Sequence, residues 1–242
     1  MKIKSLLIIG LLASGISEEL VAENIPSTGD PIVIVENDPA TVIAKYLEAV
    51  GGEEKIQTIK NASMTAEASF QGQIIEIKTI ADSENSRLMQ STAVGGNVMQ
   101  KTLFVDGKGQ MVMMGQTQEL TEETVAMLKP QTFVFPEQHY EEMGFKLAYI
   151  GEEDLEGVAV HKLEMTSPTG IVTQEFYSVE SGLKLKTSSE SAGDISYSDY
   201  QEVDGILMPM LLTIKNPMLP VALEAKIVSV KFNQTLTEAD FQ

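Results

Sequence analysis

Few residues here could do chemistry: His139 and His161 are the two histidines, and the chain has no cysteine. Neither histidine sits in a His-Glu-x-x-His zinc motif, although Glu141 and Glu142 follow the first, so no metal site is expected. His139 reads as a polar residue of a short helix beside Tyr140, and His161 alternates with Leu163 and Met165 as a strand position would. Ser181 and Lys184 match the Ser-x-x-Lys spacing of some acyl enzymes, in which the serine starts a helix and the lysine one turn later takes its proton. Here the serine falls in a hairpin turn, and extended backbone carries Lys184 away from it. Glu152-Glu153-Asp154 lacks the alternating oxygen ligands and central glycine of a calcium loop. Asn61-Ala62-Ser63 and Asn233-Gln234-Thr235 match glycosylation sequons. The expectation is a protein with no catalytic residues, no metal and no cofactor.

Charge narrows the partners. The 17 Lys and Arg stand against 35 Asp and Glu, a formal net charge of −18, and Arg87 is the only arginine. Nucleic acid needs clustered cations to displace its counterions, so it is not an expected partner. An anionic membrane surface would repel the chain, and the acidity reads first as a solvated surface. Lys2 and Lys4 followed by the apolar run Leu6–Ile16 resemble a secretory signal, too short to span a bilayer. The expected layout is a signal peptide over 1–22, an extended arm over 23–37 carrying Pro26, Gly29 and Pro31, and one domain over 38–242. A periplasmic monomer without stable membrane insertion follows, and its core must hold without disulfides.

The first expected element is a helix from Asp38, an N-cap acid, through Pro39, with Val42, Ile43, Tyr46, Leu47 and Val50 on one face. Gly51 and Gly52 end it, and a short helix is expected over 53–59. From Asn61 the period becomes two: Met64, Ala66, Ala68 and Phe70 share one face. Strands follow near 73–81, 86–94, 97–105 and 109–114, joined by turn signals such as Asp106-Gly107. The pattern breaks at Thr121, where a helical turn carrying Glu122, Glu123, Val125, Met127 and Leu128 precedes Pro130, and a second short helix follows Pro136. Strands resume near 144–151, 157–166, 170–179, 183–191, 194–203, 206–215 and 221–232. The fold class is mainly β (α+β): short connections imply antiparallel neighbours, about eleven or twelve strands in all. The 13 methionines include Met89, Met99, Met111 and Met113 in strands. They serve either as gap-filling core or as the adaptable wall of an apolar cavity.

Several stretches carry a resemblance: Tyr46-Leu47-Glu48-Ala49-Val50-Gly51-Gly52, Gly96-Asn97-Val98-Met99-Gln100-Lys101, Phe176-Tyr177-Ser178-Val179-Glu180-Ser181-Gly182-Leu183-Lys184, the run Ser198–Ile206, and Ala239-Asp240-Phe241. Together they resemble the periplasmic outer-membrane lipoprotein carrier (LolA-like) family, and are similar to C-terminal modules of some bacterial insulinase-type zinc peptidases. The resemblance covers roughly Pro39 to Phe241. It implies a single unclosed, curved antiparallel β half-barrel with short helices as a lid over an apolar cavity. Exposing a lipid chain to water costs about 0.8 kcal/mol per methylene, which is why a carrier needs such a shelter.

On that resemblance Met64, Ala66, Phe70 and Ile77 would line the concave side from the first strands, and Leu163, Met165 and Leu185 from the middle ones. Met208, Met210, Leu223 and Ile227 would line it from the last. Val42, Tyr46, Val125 and Leu128 would face it from the lid. A one-residue slip in register would turn any of them outward. Family members that carry lipoproteins hold the lid closed with an arginine near the cavity. No position here matches a motif for that residue, and Arg87 is the sole candidate. The implied function is a non-catalytic carrier for a lipid, acyl chain or lipoprotein anchor. The alternative is a protein-interaction scaffold docking on a periplasmic peptidase or envelope complex.

Overall fold

In the computed structural model the described residues are 38–190, 192–216 and 221–242; the expected signal peptide and arm lie outside them. Helix α1 (Pro39–Val50) starts where the Asp38 carboxylate accepts from the Ala40 N–H at 3.3 Å, and it buries the stripe Val42, Ile43, Tyr46, Leu47 and Val50. It ends as expected at Gly51, and α2 (Glu53–Ile56) is one turn long.

Six strands follow: β1 (Asn61–Phe70), β2 (Gln73–Asp82), β3 (Arg87–Val94), β4 (Asn97–Val105), β5 (Lys108–Met113) and β6 (Gln116–Glu119). Then come α3 (Glu122–Leu128) and two 3-10 turns, Lys129–Thr132 and Pro136–His139. The second half holds β7 (Lys146–Leu155), β8 (Val158–Thr166), β9 (Val172–Ser178), β10 (Lys184–Ser189), β11 (Gly193–Val203), β12 (Ile206–Lys215) and β13 (Leu223–Phe232). A last 3-10 turn spans Glu238–Phe241. The described residues thus form a sheet of thirteen strands rather than eleven or twelve. The sequence does not mark β6, because Gln-Thr-Gln-Glu is polar on both faces and exposed throughout. It forms through its ladder with β5, from Gln110↔Glu119 to Met113↔Gln116.

All thirteen strands form one antiparallel sheet in the order β6-β5-β4-β3-β2-β1-β13-β12-β11-β10-β9-β8-β7. Each half is a meander, and β1 pairs with β13 to join the two at the centre. The edges, β6 and β7, are consecutive in the chain, so residues 120–145 must cross from one edge to the other. That crossing segment carries α3 and both 3-10 turns over the concave face. Residues of seven adjacent strands, β4 through β11, line a single cavity beneath it. Laid flat, those strands would span about 29 Å, so the sheet is strongly curved.

The crossing segment and α1 pack on different parts of the sheet. α1 buries Val42, Tyr46 and Leu47 against Leu163, Met165, Tyr177 and Met208, joined by Phe135 and Tyr140 of the crossing segment. α3 buries Leu128, with Val125 beside it, against Ala81, Leu88 and Phe104. Gly109 allows this approach: a Cβ there would lie 2.8 Å from Val125 Cγ2. On the convex side the C-terminal turn covers Ile80, Met89 and Leu103 with Phe241. Both sequon asparagines are tied into the structure, Asn61 Nδ2 donating to Gln234 O and Asn233 Nδ2 to Thr58 O, each at 3.1 Å. No helix among the described residues is long and apolar enough to cross a membrane.

Candidate functional site

Between the parts of the sheet covered by α1 and α3 lies a cavity of about 210 Å³. Its origin is visible on the central strands, where small side chains meet: Ala68 faces Ala225 across β1 and β13, and Ala66 faces Ile227. Curvature brings bulky neighbours around these alanines without filling the space above them. One wall is apolar, built by Met64, Ala66 and Ile77 on β1 and β2 and by Ile195, Ile214 and Ile227 on β11 to β13. The other wall is polar and uncharged: Thr79, Gln90, Thr92, Gln100 and Thr102 from β2 to β4, with Gln131 above them. Gln90 Nε2 donates to Gln131 Oε1 at 2.9 Å, and Gln131 Nε2 donates to the Met127 carbonyl at 3.0 Å. These amides tie the sheet to the crossing segment at the cavity roof.

Met64, Ala66, Ile77 and Ile227, all expected on the concave side, stand together on the cavity wall. Phe70, Met210 and Leu223 pack in the same cluster around Ala66, Ile75 and Ala225. Leu163, Met165 and Met208 lie instead beneath α1, in contact with Val42 and Tyr46, so that part of the concave face is filled by side chains. Val125 and Leu128 sit over β2 to β4 with Leu88 and Phe104. Leu185 is half-buried at the irregularity between Lys184 and Lys186.

Arg87 is placed away from the cavity and the crossing segment. Its Nε and Nη2 donate to Asp82 Oδ2 at 2.9 and 2.7 Å, its Nη1 pairs with Glu238 Oε1 at 2.8 Å, and its guanidinium lies 4.2 Å from the centre of the Phe241 ring. It fastens the C-terminal turn, because the nearly fully buried Asp82 carboxylate draws it there.

The cation joining sheet and crossing segment is Lys184. Its ammonium donates to Glu175 Oε1 at 2.7 Å and to Glu137 Oε1 on the Pro136–His139 turn. Tyr140 and Tyr177 both donate to the Glu175 carboxylate, the first at 3.0 Å, and Tyr200 donates to the Lys184 carbonyl at 2.6 Å. Glu137 Oε2 is buried without a partner among the described residues. Burial raises the Glu137 carboxyl above its ordinary value, with Lys184 pulling the other way. Burial acts to lower the Lys184 ammonium, but Glu137 and Glu175 outweigh it and hold the proton well above the ordinary range. Burial also pushes Tyr140 and Tyr177 well up, so both remain hydrogen-bond donors.

The histidines are apart from this cluster. His139 stacks on Phe133, ring centres 4.1 Å apart, and pairs with Glu142 at 3.2 Å; it borders an outer cleft of about 390 Å³ between α2 and the crossing segment. His161 lies 3.2 Å from the Tyr149 hydroxyl, and burial lowers its proton affinity despite Glu152. No group of three or more metal-ligating side chains forms among the described residues. Ser181 lies in the turn before β10, its Oγ accepting from the Leu183 N–H at 3.3 Å, while Lys184 turns to its carboxylates.

The sequence did not single out Glu137, Glu175 or the polar wall. Each face of β3 mixes polar and apolar residues, so alternation alone does not assign Gln90 and Thr92 to the cavity side. Lys184 and Glu137 are 47 residues apart.

No protein-family model matches the sequence, and no curated protein matches it. Solved structures do. A DUF1329 family protein from Desulfovibrio piger superposes with a TM-score of 0.55 at 12% identity, over 84% of this chain and 96% of that one. A LolA superfamily protein from Nitrosomonas europaea gives a TM-score of 0.55 at 10% identity, again over 84% and 96%. At such identities the likeness establishes the fold alone: one unclosed antiparallel sheet shared with these two proteins.

Proposed function

We propose that this protein is a periplasmic, non-catalytic carrier that shelters an acyl chain or lipoprotein anchor beneath the crossing segment. The observation that carries this reading is the unfilled cavity between two well-packed regions of one curved sheet. The hollow is partly open rather than sealed, and its apolar wall lies against water unless a ligand covers it. A hollow walled by Met64, Ile77, Ile214 and Ile227 and capped by a separate segment suits a hydrocarbon chain that needs shelter from water. Its volume, about 210 Å³, is below the roughly 300–1,000 Å³ of sites enclosing drug-sized molecules. At that size the hollow suits one narrow chain, and displacement of the crossing segment would enlarge the space. Native mass spectrometry of gently purified protein, with organic extraction and a fluorescent acyl probe, tests this. Co-purified lipid or saturable probe uptake supports it, and an inert, lipid-free protein overturns it.

A second reading, docking on an envelope protein or peptidase, draws on the exposed apolar residues at one end of the first meander. Ile74, Val98 and Met114 are 62%, 57% and 79% exposed, at or beside the turns β1–β2, β3–β4 and β5–β6. A stable complex lost when all three become serine, from a protein that takes up no lipid, would favour it.

A further inference from the structure

The carrier reading leaves the head of the ligand undefined, and the cavity's second wall bears on it. Thr92 and Gln100 face each other across β3 and β4, and Thr102 stands two residues farther along β4 on the same side. Their residual exposures are 8%, 7% and 6%, and all three line the cavity. Among the described residues none of the three makes a side-chain hydrogen bond, whereas neighbouring Gln90 donates to Gln131, which donates in turn to the Met127 carbonyl. Their polar atoms open onto the hollow instead of being sealed off like Glu137 Oε2, so a molecule entering it meets three unengaged polar side chains next to one another.

Their chemistry restricts that partner. Two hydroxyls and one primary amide offer donors and acceptors but no charge. Among the described residues no Lys, Arg, His, Asp or Glu lines the cavity. An ionised carboxylate or phosphate placed there would lose its hydration without meeting a countercharge. The buried ammonium among the described residues, that of Lys184, is already shared by two carboxylates. The net charge of −18 further disfavours the approach of an anionic lipid.

We propose that Thr92, Gln100 and Thr102 bind the uncharged ester or hydroxyl head of an acylglycerol-type amphiphile whose chain lies on the Met64–Ile77–Ile227 wall. This rests on the carrier reading and narrows it. The same chemistry could come from a free glyceride or from the diacylglyceryl group of an acylated peptide.

The test is competition for a bound fluorescent hydrocarbon probe in delipidated full-length protein. The competitors are 1-monooleoylglycerol, a diacylglyceryl-cysteine peptide, oleate and oleoyl phosphatidylglycerol. The uncharged competitors are expected to displace the probe at least tenfold more tightly than the anionic ones. Which of the two uncharged competitors binds more tightly identifies the source. Gln100→Leu and the Thr92→Val/Thr102→Val pair should remove that preference while keeping probe binding. Probe retention and an unchanged circular dichroism spectrum show that the variants fold. Equal or stronger binding of the anionic lipids overturns the proposal, as does an unchanged preference in both variants, which would leave the three side chains to buried water. Failure of the wild type to bind probe or any lipid overturns the carrier reading itself.

Discussion

Lys184 on β10 and Glu137 on the crossing segment form a buried ion pair that joins the sheet to the piece of chain bridging its two edges. Glu175 shares the same ammonium, so two carboxylates face one cation with water excluded.

Removing that cation should be severe. Lys184→Met leaves Glu137 and Glu175 buried side by side, and breaking a buried pair in this way costs roughly 3–5 kcal/mol. Urea denaturation should show a midpoint lowered accordingly. A variant as stable as the wild type would mean the carboxylates are not held together as described.

The sign of the pH dependence is fixed by Glu137. Its carboxyl is raised in the folded protein by burial, so the folded state binds this proton more tightly than the unfolded chain does. Its contribution to stability is therefore greatest at acid pH. It falls as pH rises from the ordinary glutamate value of 4.5 through the raised folded value, then stays constant. The stability difference between wild type and Glu137→Gln should shrink, or turn in favour of Gln, across that window. A difference growing in favour of the wild type with pH would contradict the assignment.

Filling the hollow separates its volume from its stability. Ala66→Phe places a ring above the central strands, where Ala66 and Ile227 pair. Acyl-probe uptake should drop at least tenfold, while melting reports at most the roughly 1–3 kcal/mol of ordinary overpacking. Undiminished uptake would place the ligand elsewhere.

Gly109 sets how closely α3 seats. In Gly109→Val even the Cβ would meet Val125 Cγ2 at 2.8 Å and Leu120 Cβ at 3.2 Å, so the helix must lift. Faster amide hydrogen exchange across residues 120–128 and faster probe entry are expected, with exchange in β12 and β13 unchanged.

Arg87→Ala should act on the opposite side of the sheet. It leaves the buried Asp82 carboxylate with only the Asn85 side-chain amide and backbone N–H as donors and frees Glu238 and Phe241, so limited proteolysis near residue 238 should accelerate and stability should fall by up to about 3–5 kcal/mol. Probe affinity, measured below the lowered melting temperature, should be unchanged.

Local chemistry along the chain determined most of the elements. Asp38-Pro39 and Gly51-Gly52 bound α1 because capping and positive φ involve only adjacent residues. Asp106, Glu156 and Asp204, each followed by glycine, mark hairpin turns where both residues have positive φ. The alternation in β1 put Met64, Ala66, Ala68 and Phe70 on one face because side-chain direction in a strand repeats every two residues. Tertiary structure alone decided the rest. β1 meets β13 across more than 150 residues, and only that pairing brings Ala68 to Ala225 and opens the hollow. Thr92 and Gln100 become a polar wall only when the curved sheet turns them inward. Arg87 fastens the C-terminal turn and Lys184 holds the crossing segment, since a buried cation goes to the carboxylates that folding delivers to it, however far away they lie in sequence.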